Sequence, residues 1–251
     1  MPADFKERAV LITGGTQGIG LATGLAFGRL GARCVLTHRW GSADDAEIRK
    51  LFADNGAAEP LIVEADAGRD EDTLRLVRDL KRELSAVDVL VSNVAFGQVT
   101  SGPEEYTRRG LLSGIEYSAW PIVSYSQAIL SEFGALPEYV IGLSSHGPDH
   151  FIPGYDLVAC AKAVLETIAK YLAHHYAPQG TKVNVVRAGM VHTASLEATL
   201  GLEHIETIKA RLRGPLMQPR DVANVVVALC SGYMDAVSGQ VITADRGYSF
   251  S

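Results

Sequence analysis

Short apolar runs rich in β-branched residues alternate along the chain with longer segments in which apolar residues recur at helical spacing. The short runs predict strands at Ala9–Thr13, Arg33–His38, Pro60–Glu64, Val87–Ser92, Tyr139–Leu143, Lys182–Arg187 and Gln240–Ala244. The longer segments predict helices at Gly18–Leu30, Ser42–Asn55, Asp70–Leu84, Glu104–Phe133, Tyr155–Ala177 and Pro219–Cys230. This alternation is typical of an α/β doubly wound fold, in which helices cover both faces of a parallel sheet.

No linker, internal repeat or low-complexity stretch divides the chain, so residues 1–251 are expected to form a single domain. The least regular stretch is Ala194–Gly214. It is interpreted either as a lid over the substrate or as a pair of surface helices, and its periodicity does not choose between the two.

The composition is that of a globular protein, with 47% hydrophobic and 21% charged residues. The chain has 29 acidic and 23 basic residues, and its formal charge of −6 argues against a nucleic-acid partner. No apolar run is long enough to span a membrane, and the N-terminus shows no signal-peptide pattern. Cys34, Cys160 and Cys230 lie far apart, which indicates a reduced, cytoplasmic protein without a disulfide framework or a metal site.

A glycine-rich turn, Gly14–Gly20, follows the first predicted strand and precedes an apolar helix. Glycines there allow a tight turn, a close approach of the backbone to a pyrophosphate and close packing of the helix on the strand. The start of the helix offers free N–H groups to the anion. A plain turn is the alternative, but the strand–turn–helix context favours a Rossmann-type dinucleotide site. The residues expected at the phosphates are Gly14, Thr16, Gln17, Gly18, Ile19 and Gly20.

The end of the second strand indicates which dinucleotide binds. An acid at this point binds the ribose 2′-hydroxyl of NAD, whereas a cation suits the 2′-phosphate of NADP. This chain has Arg39, and the first carboxylate after it is Asp44. An arginine presents a fork of donors to a phosphate and stacks on adenine. The pattern therefore predicts NADPH rather than NADH, with a solvated loop arginine as the alternative.

The turn TGGTQGIG resembles the TGxxxGxG signature of short-chain dehydrogenases/reductases, and further segments match that family in the same order. They are EADAG, SNVAFG, the stretch from Ala188 to Thr193, and the closing SGQVITADRG. The resemblance implies that Asp66 faces the adenine ring and that the stretch after Ala188 holds the nicotinamide carboxamide. The cofactor-binding residues implied in these segments are Asp66, Ala67, Asn93, Gly189, Val191 and Thr193, together with Lys162.

The catalytic segment departs from the Tyr-x3-Lys pattern of that family, because the residue four before Lys162 is Val158. Tyr155 lies seven before Lys162, and this Tyr-x6-Lys spacing resembles the enoyl-acyl-carrier-protein reductase branch. If Tyr155 is helical, the wider spacing lengthens its axial separation from Lys162 from about 6 Å to about 10 Å. Ser145 stands where many enoyl reductases carry a first tyrosine.

The wider spacing suits conjugate reduction. Ketone reduction places hydride on the carbon that bears the oxygen, whereas enoyl thioester reduction places it two carbons away from the oxygen that gathers charge. A tyrosine placed about one turn earlier in the helix is therefore displaced toward this remote oxygen. We expect Tyr155 to donate a hydrogen bond to the thioester carbonyl and Lys162 to hold the nicotinamide ribose. Ser144 or Ser145 is expected to contact the substrate.

The expected function is an NADPH-dependent reductase of an α,β-unsaturated acyl thioester, with an acyl carrier protein as the implied bearer of the acyl group. A carbonyl reductase acting on a β-ketoacyl group is the first alternative. The second is a nucleotide-binding sensor or scaffold without catalysis. Ser145, Phe151 and the missing family asparagine, at whose place Glu116 or Tyr117 stands, keep that alternative open.

The predicted helices Glu104–Phe133 and Tyr155–Ala177 are more apolar than a monomer needs. In the family that the sequence resembles, such helices form a subunit interface. The resemblance therefore implies a homotetramer or a homodimer.

Overall fold

A computed structural model describes residues 4–194, 196 and 215–250. The described residues contain a seven-stranded sheet in the order β3-β2-β1-β4-β5-β6-β7, with all neighbouring strands parallel. The strands are β1 Ala9–Ile12, β2 Arg33–His38, β3 Leu61–Glu64, β4 Val89–Ser92, β5 Tyr139–Ser145, β6 Lys182–Ala188 and β7 Val241–Ala244. The strand order reverses between β1 and β4, and doubly wound sheets bind ligands beyond the carboxyl ends of the strands at such a point.

Helices cover both faces of this sheet, which confirms the predicted doubly wound fold. They are α1 Gly18–Gly28, α2 Asp45–Asp54, α3 Asp70–Lys81, α4 Arg108–Ser118, α5 Pro121–Phe133, α6 Asp156–Tyr176 and α7 Pro219–Leu229. Helices α1, α2 and α7 pack on one face, whereas α3, α5 and α6 pack on the other. Helix α4 packs against α6, so the start of α6 lies between the sheet and α4.

The central strands are continuous apolar runs because both of their faces are covered. Val10, Leu11 and Ile12 of β1 are completely buried. Val10 and Ile12 point into the layer below α1, whereas Leu11 points into the opposite layer. Strands that are buried on both faces lack the alternating polar residues of a surface strand. Here the buried strands fix the relative position of the two ends of the candidate site.

The predicted helix Glu104–Phe133 was wrong as a single element, because the structure divides it into two helices. A short turn at Pro103–Glu105 comes first, and the Thr107 hydroxyl then caps α4 by accepting a hydrogen bond from the Gly110 N–H at 2.9 Å. Helix α4 ends before Pro121, which starts α5 because it has no N–H to donate to a preceding turn. Apolar periodicity runs through this break because both helices bury an apolar face.

The predicted lid, Ala194–Gly214, lies outside the described residues except for residues 194 and 196. Within the described ranges, no helix is both long and apolar enough to cross a membrane. The cysteines are free: Cys34 and Cys230 are buried, whereas Cys160 lies exposed on α6.

Candidate active site at the carboxyl ends of the strands

The glycine-rich turn after β1 adopts backbone conformations that favour glycine. Gly14 and Gly18 have φ angles of 61° and 54°. A Cβ atom on Gly20 would lie 2.3 Å from the Gly14 carbonyl oxygen, so α1 starts closer to the turn than a larger residue would permit. The N–H groups of Gly14 and Gly15 donate to the Thr37 side-chain and main-chain oxygens at 3.2 and 2.9 Å, which fastens the turn to β2.

The space beside this turn is open, and the start of α1 next to it suits an anion such as a diphosphate. A Cβ atom on Gly18 would meet, among the described residues, just the Cγ2 atom of Thr193 at 3.7 Å. Gln17, the N-cap of α1, makes no side-chain capping bond, which leaves the first N–H groups of the helix available to an anion. The residues predicted at the phosphates lie together here, and their contact with a cofactor stays a prediction.

Asn93, expected to contact the cofactor, supports the glycine turn through its N–H groups. Its Nδ2 group donates to the main-chain oxygens of Thr13 and Gly14 at 3.0 and 2.9 Å. Its backbone N–H donates to the Thr13 hydroxyl at 3.0 Å. Both amide hydrogens are therefore taken by the main chain, and Asn93 is a positioning residue that joins β4 to the turn after β1.

Arg39 and Asp66 lie together beyond β2 and β3, where the adenosine end of a dinucleotide is expected. The Arg39 Nη1 atom is 3.7 Å from Asp66 Oδ2. The guanidinium carbon also lies 3.5 Å from the centre of the Trp40 ring, which is a cation–π contact. Ala67, by contrast, is buried among core residues, so its methyl group packs in the protein rather than on a ligand.

The loop after β6 forms the opposite end of the site. The Gly189 N–H donates to the main-chain oxygen of Ala244 at 2.9 Å. A Cβ atom on Gly189 would lie 2.6 Å from that of Asp245, so the two loops approach closely. Val191 is buried in the core, and the Thr193 hydroxyl accepts the Leu196 N–H at 3.1 Å. The side chain of Val191 therefore packs inside, and this loop reaches the glycine turn through Thr193.

Tyr155 is the N-cap of α6, so it precedes the helix that was predicted to include it. Its ring packs on Gly147, where a Cβ atom would lie 2.8 Å from the ring Cδ1. Burial raises the pKa of Tyr155, and the nearby Ser145 hydroxyl lowers it in part. The Ser145 Oγ atom is buried without a well-formed hydrogen bond in the described part of the chain. The Ser145 hydroxyl and the Tyr155 phenol therefore lie side by side at the end of β5.

Lys162 lies in α6 with 4% of its surface exposed. Its Nζ atom donates to the Leu143 main-chain oxygen at 2.6 Å. Burial lowers the pKa of Lys162 to about 8, although Glu166 acts in the opposite direction. Because Tyr155 lies beside Ser145 and Lys162 bonds to Leu143, the phenol and the amine both border the carboxyl end of β5.

Ser144, expected to contact the substrate, belongs to a buried polar network instead. Its hydroxyl donates to Glu166 Oε1 at 2.6 Å. Arg187 of β6 donates two hydrogen bonds to the same carboxylate, from Nε to Oε1 at 3.0 Å and from Nη2 to Oε2 at 2.6 Å. Its other amino group, Nη1, donates to Asp149. The Ser144 hydroxyl is thus hydrogen-bonded within the protein. Ser145 is the serine that remains at the candidate site.

Val158 stands at the position of the usual family tyrosine and fills that space with packing. It is buried, and a Cβ atom on Gly97 would lie 2.2 Å from its Cγ2. The loop after β4 therefore touches α6 where a phenol would stand in the ordinary family. The phenol of this site comes from Tyr155 instead.

Glu166 and Tyr117 have roles in this site that were not predicted from the sequence. Glu166 is four residues after Lys162, a helical spacing that was a usable signal for two side chains on one face. Tyr117 had no local signal, because its hydroxyl bonds to Asp66, which is 51 residues away in the sequence.

Comparison with known proteins identifies the family of this chain. A family model described as Enoyl-(Acyl carrier protein) reductase matches residues 14–249. The chain is 28% identical over 253 residues to the enoyl-(acyl-carrier-protein) reductase (NADH) of Aquifex aeolicus, with 97% of this chain and 92% of the relative covered. It is 26% identical over 256 residues to the 1-cyclohexenylcarbonyl-CoA reductase of Streptomyces collinus, with 97% and 88% covered.

A solved structure shares the fold. It is a dehydrogenase/reductase from Sinorhizobium meliloti 1021, similar with a TM-score of 0.87 and 23% identity over 97% of this chain and 96% of that chain. The family match runs from the glycine turn past the last strand, so it includes both ends of the candidate site. The chain therefore belongs to the short-chain dehydrogenase/reductase family, in the group described as Enoyl-(Acyl carrier protein) reductase, and is an NAD(P)H-dependent oxidoreductase.

Proposed function

We propose that this protein is an NADPH-dependent reductase of α,β-unsaturated acyl thioesters carried on an acyl carrier protein. The observation that carries the proposal is the placement of Tyr155, whose ring lies on Gly147 beside Ser145 while Val158 fills the usual tyrosine position. The printed names of two relatives support the substrate class, since one is an enoyl-(acyl-carrier-protein) reductase and the other a 1-cyclohexenylcarbonyl-CoA reductase.

The side chains at the end of β5 suit the charge that this reaction develops. When bound, NADPH would supply a hydride to the β carbon of the substrate, negative charge would gather on the thioester oxygen, and the enolate would then take a proton from water at its α carbon. Tyr155 donates its O–H to that oxygen, and burial keeps the phenol protonated by raising its pKa. Lys162 adds positive charge at the same edge and holds the ribose hydroxyls. Gly18 and Thr193 enclose the space for the diphosphate.

Steady-state assays with NADPH test the substrate class. We expect a crotonyl thioester to be reduced with a kcat/KM at least roughly tenfold above that of an acetoacetyl thioester, because the donor is placed for the remote oxygen. Turnover of the acetoacetyl thioester alone would overturn the proposal in favour of a carbonyl reductase. Turnover of neither thioester, with NADPH still bound, would favour a nucleotide sensor or scaffold.

The NADPH preference depends on Arg39. In the Arg39→Ala variant we expect KM for NADPH to rise by about 10- to 100-fold and KM for NADH by less than about threefold, because a charged hydrogen bond to the 2′-phosphate is lost. Arg49→Ala is the matched control, since Arg49 on α2 pairs with Glu59 at the surface. Equal changes in the two KM values would remove the preference, and NADH would then replace NADPH in the proposal.

The proposal includes a cytoplasmic location and assembly into a homotetramer or a homodimer. Large apolar side chains on the two helices of the expected interface support the assembly, since Leu112 on α4 and Tyr171 on α6 are 55% and 68% exposed. A monomer in sedimentation velocity would contradict it.

A further inference from the structure

The ring of Tyr117 reaches from α4 into the adenosine end of the candidate site. A Cβ atom on Gly68 would lie 2.5 Å from the Tyr117 Cε1, so the ring needs the glycine after β3 in order to lie there. Phe96 holds the ring in an edge-to-face contact, with 5.7 Å between the ring centres. The ring position is therefore determined by two loops, one that follows β3 and one that follows β4.

The hydroxyl of Tyr117 shares one carboxylate oxygen with Arg39. It donates to Asp66 Oδ2 at 3.2 Å, and the Arg39 Nη1 is 3.7 Å from the same oxygen. The other oxygen, Oδ1, accepts the Gly68 N–H at 3.0 Å. Asp66 has just 8% of its surface exposed, so its carboxylate oxygens receive their polar contacts from these protein partners rather than from solvent.

The Tyr117 ring also touches the guanidinium. The Arg39 Cζ atom lies 4.7 Å from the centre of the Tyr117 ring and 3.5 Å from that of Trp40. Contacts with two aromatic faces orient a planar cation without occupying its N–H donors. Arg39 is thus oriented by rings, while its ion pair with Asp66, at 3.7 Å, is longer than the 3.2 Å hydrogen bond that the Tyr117 hydroxyl donates to the same oxygen.

We propose that Tyr117 is a specificity-determining positioning residue, which releases Arg39 from Asp66 so that the arginine can bind a 2′-phosphate. A buried carboxylate that loses a partner carries a desolvation cost. If Arg39 turns to a phosphate, the Tyr117 hydroxyl still satisfies Asp66. Without that hydroxyl, Asp66 retains Arg39 and competes with the phosphate. This inference rests on the NADPH preference proposed above.

Calorimetric titration without substrate tests the inference, with adenosine 2′,5′-bisphosphate and adenosine 5′-monophosphate as probes. Tyr117→Phe keeps the ring and removes the hydroxyl. We expect this variant to bind the bisphosphate about tenfold more weakly, because Arg39 must leave Asp66 uncompensated, and the monophosphate within about twofold of the unaltered protein. Tyr233→Phe, which removes an exposed phenol in the loop between α7 and β7, should change neither affinity.

A second variant separates this role from a structural one. In the Asp66→Asn background the competing charge is absent, so Tyr117→Phe should no longer weaken binding of the bisphosphate. The inference would be overturned by a similar loss in both backgrounds, or by a Tyr117→Phe variant that binds the bisphosphate normally. In either case the proposed NADPH preference would still stand. If the unaltered protein binds the bisphosphate no more tightly than the monophosphate, the NADPH preference fails and the inference fails with it.

Discussion

Replacing Tyr155 by phenylalanine should lower kcat for the crotonyl thioester by about 100- to 1,000-fold, the usual effect of losing one donor to a developing oxyanion. The ring can still pack on Gly147, so we expect the fold to be retained. Affinity for NADPH, measured by titration of the free enzyme, should change by less than about threefold, because the phenol acts on substrate charge. Loss of kcat with retained cofactor binding therefore identifies the phenol as the oxyanion donor.

The control for this variant lies in the loop between α7 and β7. Tyr233→Phe removes a phenol on a side chain that is 74% exposed and should leave kcat unchanged. If Tyr155→Phe retains a third or more of the normal kcat, the phenol is not the donor, and the observation that carries the proposed function is lost. If NADPH affinity falls together with kcat, the Tyr155 hydroxyl positions the cofactor instead.

Replacing Lys162 by methionine should abolish most activity and at the same time stabilise the protein. The pKa of this buried lysine falls from an ordinary 10.5 to about 8 because its charge is desolvated. That lowering corresponds to roughly 3 kcal/mol of unfavourable free energy at neutral pH. Methionine keeps an apolar stem of similar length but also loses the bond to Leu143, so we expect the free energy of unfolding to rise by about 1–3 kcal/mol. Urea denaturation measures it.

The stabilisation should depend on pH in a definite direction. Below about pH 8 the lysine is charged in the folded and unfolded states, so the full cost of burying the charge is present. Between about pH 8 and 10.5 the folded state has lost the proton that the unfolded state keeps, and the unaltered protein becomes more stable as pH rises. The advantage of Lys162→Met should therefore shrink across this range.

Lys170→Met is the matched control, since Lys170 is an exposed lysine on the same helix. It should leave the pH dependence of stability unchanged, and it should change turnover by no more than about twofold. A Lys162→Met variant that is less stable than the unaltered protein at about pH 7 would show that the amine stabilises the fold. Normal turnover in that variant would remove Lys162 from the candidate site.

Several features of the site were predictable because they depend on local backbone geometry. The positive φ angles of Gly14 and Gly18 need no distant partner, and the strand–turn–helix order around them was readable from apolar periodicity. The spacing from Tyr155 to Lys162 was also readable. Even so, periodicity missed the break before Pro121, although that residue itself marks a helix start.

Other features were not readable from the sequence, because a hydrogen bond can be satisfied by any partner within reach. Ser144 donates to Glu166, and Asn93 donates to the turn after β1, so neither side chain is available in the way its sequence position implied. The Glu166 carboxylate is shared with Arg187 of β6. These partners come from separate elements, and their meeting depends on how α6 lies across the sheet.

By itself the sequence determined the order of strands and helices, the glycine turn and the unusual distance between the phenol and the amine, because each depends on residues close together in the chain. The tertiary structure alone decided which polar groups remain available to a ligand. It left Ser145 beside Tyr155, committed Ser144 to the protein and brought Tyr117 to Asp66. Such contacts arise where parallel strands end side by side, since packing there brings together segments that are distant in sequence and so determines which partner a buried donor meets.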